Sequence, residues 1–130
     1  MRVFAELGAR WAGPEITEAL QKEAEYTPEH ITALFALARE DPSTNIIRER
    51  HRIHAIKEKA ILLRIPYYFE DVALICKAGG LETAQINDYF GGIAEEEWKI
   101  WEPTVKQMQA IDPLAYVEFE RFAKAAKASG

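Results

Sequence analysis

The sequence predicts an all-α fold: a compact bundle of about six helices in one domain spanning residues 1–130. Three observations lead there. Glycine and proline punctuation, at Gly13-Pro14, Pro28, Pro42, Gly79-Gly80, Gly91-Gly92 and Pro113, cuts the chain into pieces of helical length. Between those points apolar residues recur at spacings of three and four. No piece carries a convincing two-residue strand period.

Residues 1–42 supply two N-terminal helices and residues 43–127 the helical core. Gly13-Pro14 opens the first helix, with Ile16, Ala19, Leu20 and Ala24 on its apolar side. Thr27-Pro28-Glu29 gives the second a cap, a proline in its first turn and an acid at its positive end. Asp41-Pro42-Ser43 ends that helix and offers caps for the next, which runs towards Arg64. Pro66 forces a kink or a restart there. The following segment, Tyr67 to Ala78, places Phe69, Val72, Ala73 and Cys76 on one stripe and is expected at the centre of the core. Gly79-Gly80 is a left-handed stop. A short helix from about Thr83 to Phe90 is expected to close at Gly91-Gly92. The next carries Ala94, Trp98, Trp101, Val105 and Met108, a seam suited to a neighbouring helix in the same molecule or in a twin, and Pro103 should bend it. Asp112-Pro113 caps and opens a last helix bearing Phe119, Phe122 and Ala123.

Apolar residues make up 48% of the chain and charged residues 28%, the profile of a folded globular domain. The lone Cys76 excludes an internal disulfide and fits a reducing compartment. The longest apolar runs, such as "ALFALA" at 33–38, fall short of the ~20 residues that span a bilayer, and the N-terminus lacks the apolar core of a signal peptide. The expectation is a soluble, cytoplasmic protein with no membrane association.

The second half, "RIPYYFEDVALICKAGGLETAQINDYFGGIAEEEWKIWEPTVKQMQAIDPLAYVEFERFA", carries Phe69-Glu70 followed by Ala73, the glycine turn at 79–80, and Phe90 before a short loop. It continues through the Trp98 to Pro103 segment to the aromatic-acid close at Tyr116, Phe119 and Glu120. In that order and spacing, residues 45–125 resemble a helical family of bacterial and phage proteins, the domain of unknown function number 4760. Many relatives carry a membrane helix ahead of the domain, whereas no such span is visible in this sequence. The family has no established activity, so the resemblance implies a fold and a bacterial or phage setting, and no catalytic residues.

The stretch "IIRERHRIHAIKEKAILLR", residues 46–64, holds six lysines and arginines in a chain of net charge −5. On a helix Arg48, Arg52 and Lys59 share one face with His51 and Ala55 beside them, while Ile53, Ile56, Ala60 and Leu63 are expected to face the core. The preferred reading is a solvated face pairing with acids of the same molecule. The alternatives are a phosphate-tracking patch of Arg48, Arg50, Arg52, Lys57 and Lys59 on nucleic acid, or a surface for an acidic protein. A net acidic balance and the lack of a recognisable nucleic-acid module place the nucleic-acid reading second. His51, His54 and Glu58 could share a helical side, but two histidines and one acid among arginines form an incomplete metal set; no metal or other cofactor is expected.

Glu70 follows "PYYF" on the most apolar helix, where an unpaired carboxylate is costly. It is expected to be held by Arg64, Arg52 or a tyrosine; the alternative is a general acid or base with a raised pKa, and with it an enzyme. Trp98 and Trp101, one turn apart, belong to the core or to an interaction surface. Glu95, Glu96 and Glu97 read as first-turn charge for their helix. Cys76 reads as inert packing. The function expected is therefore that of a small interaction or accessory protein binding an unknown protein partner, with a homodimer through the Trp98 to Met108 seam as one form. Arg48, Arg52, Lys59, Trp98 and Trp101 are its candidate binding residues.

Overall fold

A computed structural model describes residues 2–80 and 82–129. It contains α1 (Arg2–Ala12), α2 (Pro14–Glu23), α3 (Pro28–Ala38), α4 (Ile46–Leu62), α5 (Arg64–Ala78), α6 (Thr83–Gln109) and α7 (Val117–Ser129). No strand occurs among the described residues. The all-α bundle expected from the sequence is the observed fold. It has three helices before residue 43 rather than two, because residues 2–12 form a helix whose Phe4, Leu7 and Trp11 pack against the core.

Several boundaries follow local chemistry. Thr27 caps α3 by accepting the N–H of His30 at 3.2 Å, and Pro28 fills the first turn. The cap of α4 is Asn45, which accepts the N–H of Arg48 at 3.0 Å, rather than Asp41 or Ser43. Helices α4 and α5 meet end to end at Leu63, and Pro66 lies in the first turn of α5, where its missing N–H matters least. Gly79 and Gly80 take φ of +80° and +130° and end α5 in the left-handed region, as expected.

Two expected boundaries are corrected. Gly91-Gly92 does not close a helix: α6 runs unbroken over 27 residues through both glycines and through Pro103. Gly91 serves packing instead, since a Cβ there would lie 3.2 Å from the Cβ of Ala126 on α7. Nor does Asp112-Pro113 open the last helix. Asp112 accepts the N–H of Leu114 in a local turn, Tyr116 adopts φ of +52°, and α7 begins only at Val117.

The core runs from Leu7 to Ala123 as one cluster. Helix α5 lies across it, contributing Ile65, Tyr68, Phe69 and Val72, while α6 contributes Ile86, Phe90, Trp98, Trp101 and Val105. Phe69 stacks on Phe119 at 5.2 Å between ring centroids, and Trp98 meets the same ring edge-on. Helix α7 packs on α5 and α6, α3 on α4 and α6, and α2 on α1, α4 and α5. Among the described residues, no helix is long and apolar enough to cross a membrane.

Candidate interaction surface

Helix α4 is turned opposite to the sequence expectation. Its buried residues are Ala55, Glu58 and Leu62, while Ile53, Ile56 and Ala60 are exposed and Leu63 is half-buried. The physical reason is size and reach. Ala55 is fully buried and presents little bulk where α4 packs on α2 and α3, and half-buried Arg52 and Lys59 border that side. Arg48 grips the Glu40 carboxylate through Nε and Nη2. Half-buried Arg52 donates to Glu49 of its own helix. Half-buried Lys59 lies 5.4 Å from the centroid of the Phe35 ring, and burial pushes its pKa down. Arg52 and Lys59 therefore sit at the packed side, Arg48 is exposed near the start of the helix, and both arginines pair within the molecule.

The outward side is apolar and cationic. Ile46 and Ile47 are 69% and 70% exposed, Ile53 and Ile56 are 44% and 42%, and Ala60 is exposed beside them. On a regular helix Ile46, Ile53, Ile56 and Ala60 fall within a sector of roughly 80°, and Arg50, His54 and Lys57 occupy roughly the next 60°. All three of these are exposed, and neither Arg50 nor Lys57 pairs with a carboxylate among the described residues. Of the acids on α4, Glu49 is held by Arg52 and by the N–H of Ser43. Glu58 is buried: desolvation pushes its pKa up, but the hydroxyl of Tyr26 at 2.8 Å and the ammonium of Lys22 at 3.2 Å outweigh that and hold it below the usual range. His54 reaches only 3.8 Å from Glu58, and His51 points to solvent, so the two histidines and Glu58 do not converge. Just past α4, Tyr67 is 62% exposed and shares a shallow groove with Ala60, Leu63 and Tyr116.

The other sequence candidates are built into the fold. Trp98 and Trp101 are buried, and their seam is filled from within the chain by Phe119 and Phe35, which leaves neither ring for a partner or a twin. Glu70 is held neither by an arginine nor by a tyrosine. Its Oε1 accepts the N–H of Phe119 at 2.7 Å, so a carboxylate of α5 caps the first turn of α7, where the helix end is positive. Burial raises its pKa and the N–H of Phe119 opposes that rise. Engaged at that cap, Glu70 is placed as a structural group. Cys76 is half-buried, and burial raises its thiol pKa away from reactivity.

One buried polar site had no counterpart in the sequence reading. The indole N–H of Trp101 donates to Glu23 Oε2 at 2.8 Å, and Glu97, one turn before Trp101, faces the same carboxyl. Glu97 lies mid-way along α6, so it supplies no first-turn charge. Burial first, and the neighbouring Glu23 carboxyl second, raise its pKa well above the usual carboxylate range, so Glu97 keeps a proton with which to bond Glu23. At the opposite extreme Glu120, beside Lys106, Lys124 and Gln109, is held down to about 2 despite its burial.

A groove of about 500 Å³ between α1, α2 and α5 is lined by Arg10, Pro14, Arg64 and Tyr67, and both arginines are paired, with Asp71 and Glu18. The exposed isoleucines were legible only as a recurrence: Ile46, Ile53, Ala60, Tyr67 and Leu74 stand seven residues apart and all five are exposed. Compared with protein-family models, with curated proteins and with solved structures, the chain matches none.

Proposed function

We propose that the protein is a small helical interaction module, working in the cytoplasm as a bacterial or phage accessory protein, that binds another protein through the outward face of α4. The observation that carries this reading is the exposure of four isoleucines on one helix of a molecule whose remaining core is closed. An apolar strip kept in water and bordered by polar groups, here Ile46, Ile53, Ile56 and Ala60 with Glu49 among them tied to Arg52, is what protein-binding surfaces present. The bacterial or phage setting is what the sequence resemblance of residues 45–125 implies. The engagement of Glu70 at the α7 cap favours binding over catalysis.

A photoreactive phenylalanine analogue at position 53, compared with the same analogue at exposed position 102 on α6, tests the reading in expressing bacterial cells. Protein adducts are expected from position 53, lost on Ile56→Glu with the melting curve retained. Equal labelling from both positions, or none from position 53, would sink it.

A further inference from the structure

The α4 face has a second property besides its isoleucines, and it bears on what can cover them. Ile46, Ile53, Ile56 and Ala60 follow spacings of seven, three and four, which is the spacing of one half of a two-helix seam. Arg50, His54 and Lys57, spaced four and three, run beside that strip as a flank would. No acid interrupts this flank; Glu49 falls within the isoleucine sector itself but is held by Arg52 and by the N–H of Ser43, and Glu58 is buried against Tyr26 and Lys22. We infer that the surface takes an acidic amphipathic helix, laid along α4 so that its apolar residues meet the isoleucines and its carboxylates meet Arg50 and Lys57. This rests on the binding reading above and adds the chemistry of the partner.

Charge decides between the occupants. A second copy docking the same face by two-fold symmetry would, antiparallel, bring Arg50 and Lys57 towards their own counterparts and, parallel, bring Lys57 towards the Arg52 edge of its twin, whose Glu49 is already paired. An anionic bilayer would face the field of a chain whose net charge is −5, and the cations flank the apolar strip on one side only. An acidic helix meets that far field too, but over a narrow contact, and at physiological salt the field is screened beyond about 8 Å. The strip from Ile46 to Ala60 covers about four turns, roughly 21 Å, which sets the length of helix that can dock.

The test uses the full chain and a fluorescent probe peptide of about 18 residues, with leucines at alternating spacings of three and four and glutamates on the flanks. A companion probe carries lysine at each glutamate position. The glutamate probe is expected to bind at least roughly tenfold more tightly than the lysine probe. Arg50→Glu with Lys57→Glu should invert that preference, and Ile53→Ser with Ile56→Ser should abolish both bindings while thermal unfolding stays in place. Equal binding of the two probes, or a preference that survives the charge reversal, overturns the acidic class while leaving the apolar face standing. Failure of both probes to bind also overturns it. Binding that survives the isoleucine variants overturns the α4 reading itself. Tighter binding to vesicles of about one-third phosphatidylserine than to the glutamate probe would replace the helix with a membrane surface. Dimerisation in sedimentation, lost on Ile56→Ser, would replace it with a second copy.

Discussion

Helices α4 and α5 join at Leu63 and both pack on α2, yet they dispose of their apolar residues in opposite ways. Helix α5 buries Ile65, Pro66, Tyr68, Phe69, Val72 and Ala73. Helix α4 buries only Ala55 and Leu62 among its apolar residues, and its isoleucines stand in water except for half-buried Ile61. Apolar content therefore does not separate the two. What separates them is what each helix uses to hold its place. Helix α5 is held by rings, with Phe69 against Phe119 and Tyr68 donating its hydroxyl to the carbonyl of Leu7 at 2.6 Å. Helix α4 is held by a small residue at the contact and by polar groups, Glu58 with Tyr26 and Lys22, and Arg48 with Glu40. Only Leu62 and half-buried Ile61, at the end of the helix, join the core, and that anchoring leaves Ile46, Ile47, Ile53 and Ile56 exposed.

The largest effect that separates the two regions belongs to the ring-held core. Trp101→Ala removes a fully buried indole from Phe35 and withdraws the N–H donor from Glu23. Such a truncation costs about 3–5 kcal/mol, and a chain of this size should lose roughly 10–20 °C of melting temperature. A fall of less than a few degrees in a calorimetric scan would mean that the indole is not the keystone its burial indicates.

An intermediate effect, readable through pH, comes from Glu97. Its folded pKa is raised from 4.5 to about 9 by burial and by Glu23, so between those values the folded state holds a proton that the unfolded state has released. Stability from this group is fully present below about pH 4.5 and falls as pH rises towards 9, by about 1.4 kcal/mol per pH unit at most. Glu70, raised by burial, acts in the same sense just above its ordinary range, whereas Glu120, depressed to about 2, loses its contribution only in acid. Glu97→Gln keeps an N–H donor for Glu23 without needing a proton from solution. The variant should melt several degrees above the parent at pH 8 and show a flatter profile between pH 5 and 9. Parallel profiles for variant and parent would show that Glu97 is not protonated in the folded state.

The same contrast explains what could be read from the sequence. Thr27 and Gly79-Gly80 act within a few residues of themselves, so their cap and stop were legible. The core stripe of α5 was legible because Phe69, Val72 and Ala73 follow the three-four spacing and are all buried, with half-buried Cys76 at its end. Helix α1 carries Phe4, Leu7 and Trp11 at the right spacing but has no cap residue or proline to mark its start. Gly91-Gly92 reads equally as a stop or as a close approach, and only Ala126 on α7 decides between them. The rotation of α4 was illegible because hydrophobicity favours the isoleucine side, whereas packing favours Ala55, which is small enough to lie against two helices. The Glu23–Trp101–Glu97 group joins positions more than seventy residues apart, and no local pattern announces it.

The smallest expected effect tests the other half of the comparison. Ile53→Ser on α4 removes a large apolar side chain from a position that is 44% exposed, at almost no change in helix propensity. If the side chain has no role in the fold, stability in chemical denaturation should change by no more than about 0.5 kcal/mol. The measurement gains its force from being made at two protein concentrations well apart. A loss above about 1.5 kcal/mol that is independent of concentration would mean that the residue is covered within the chain, and the two helices would no longer differ in kind. A loss that grows with concentration would mean that the face is covered by a second copy, because only an associating system couples stability to concentration. An unchanged curve at both concentrations leaves the isoleucines in water, at the cost of apolar hydration, on a helix that folds without them.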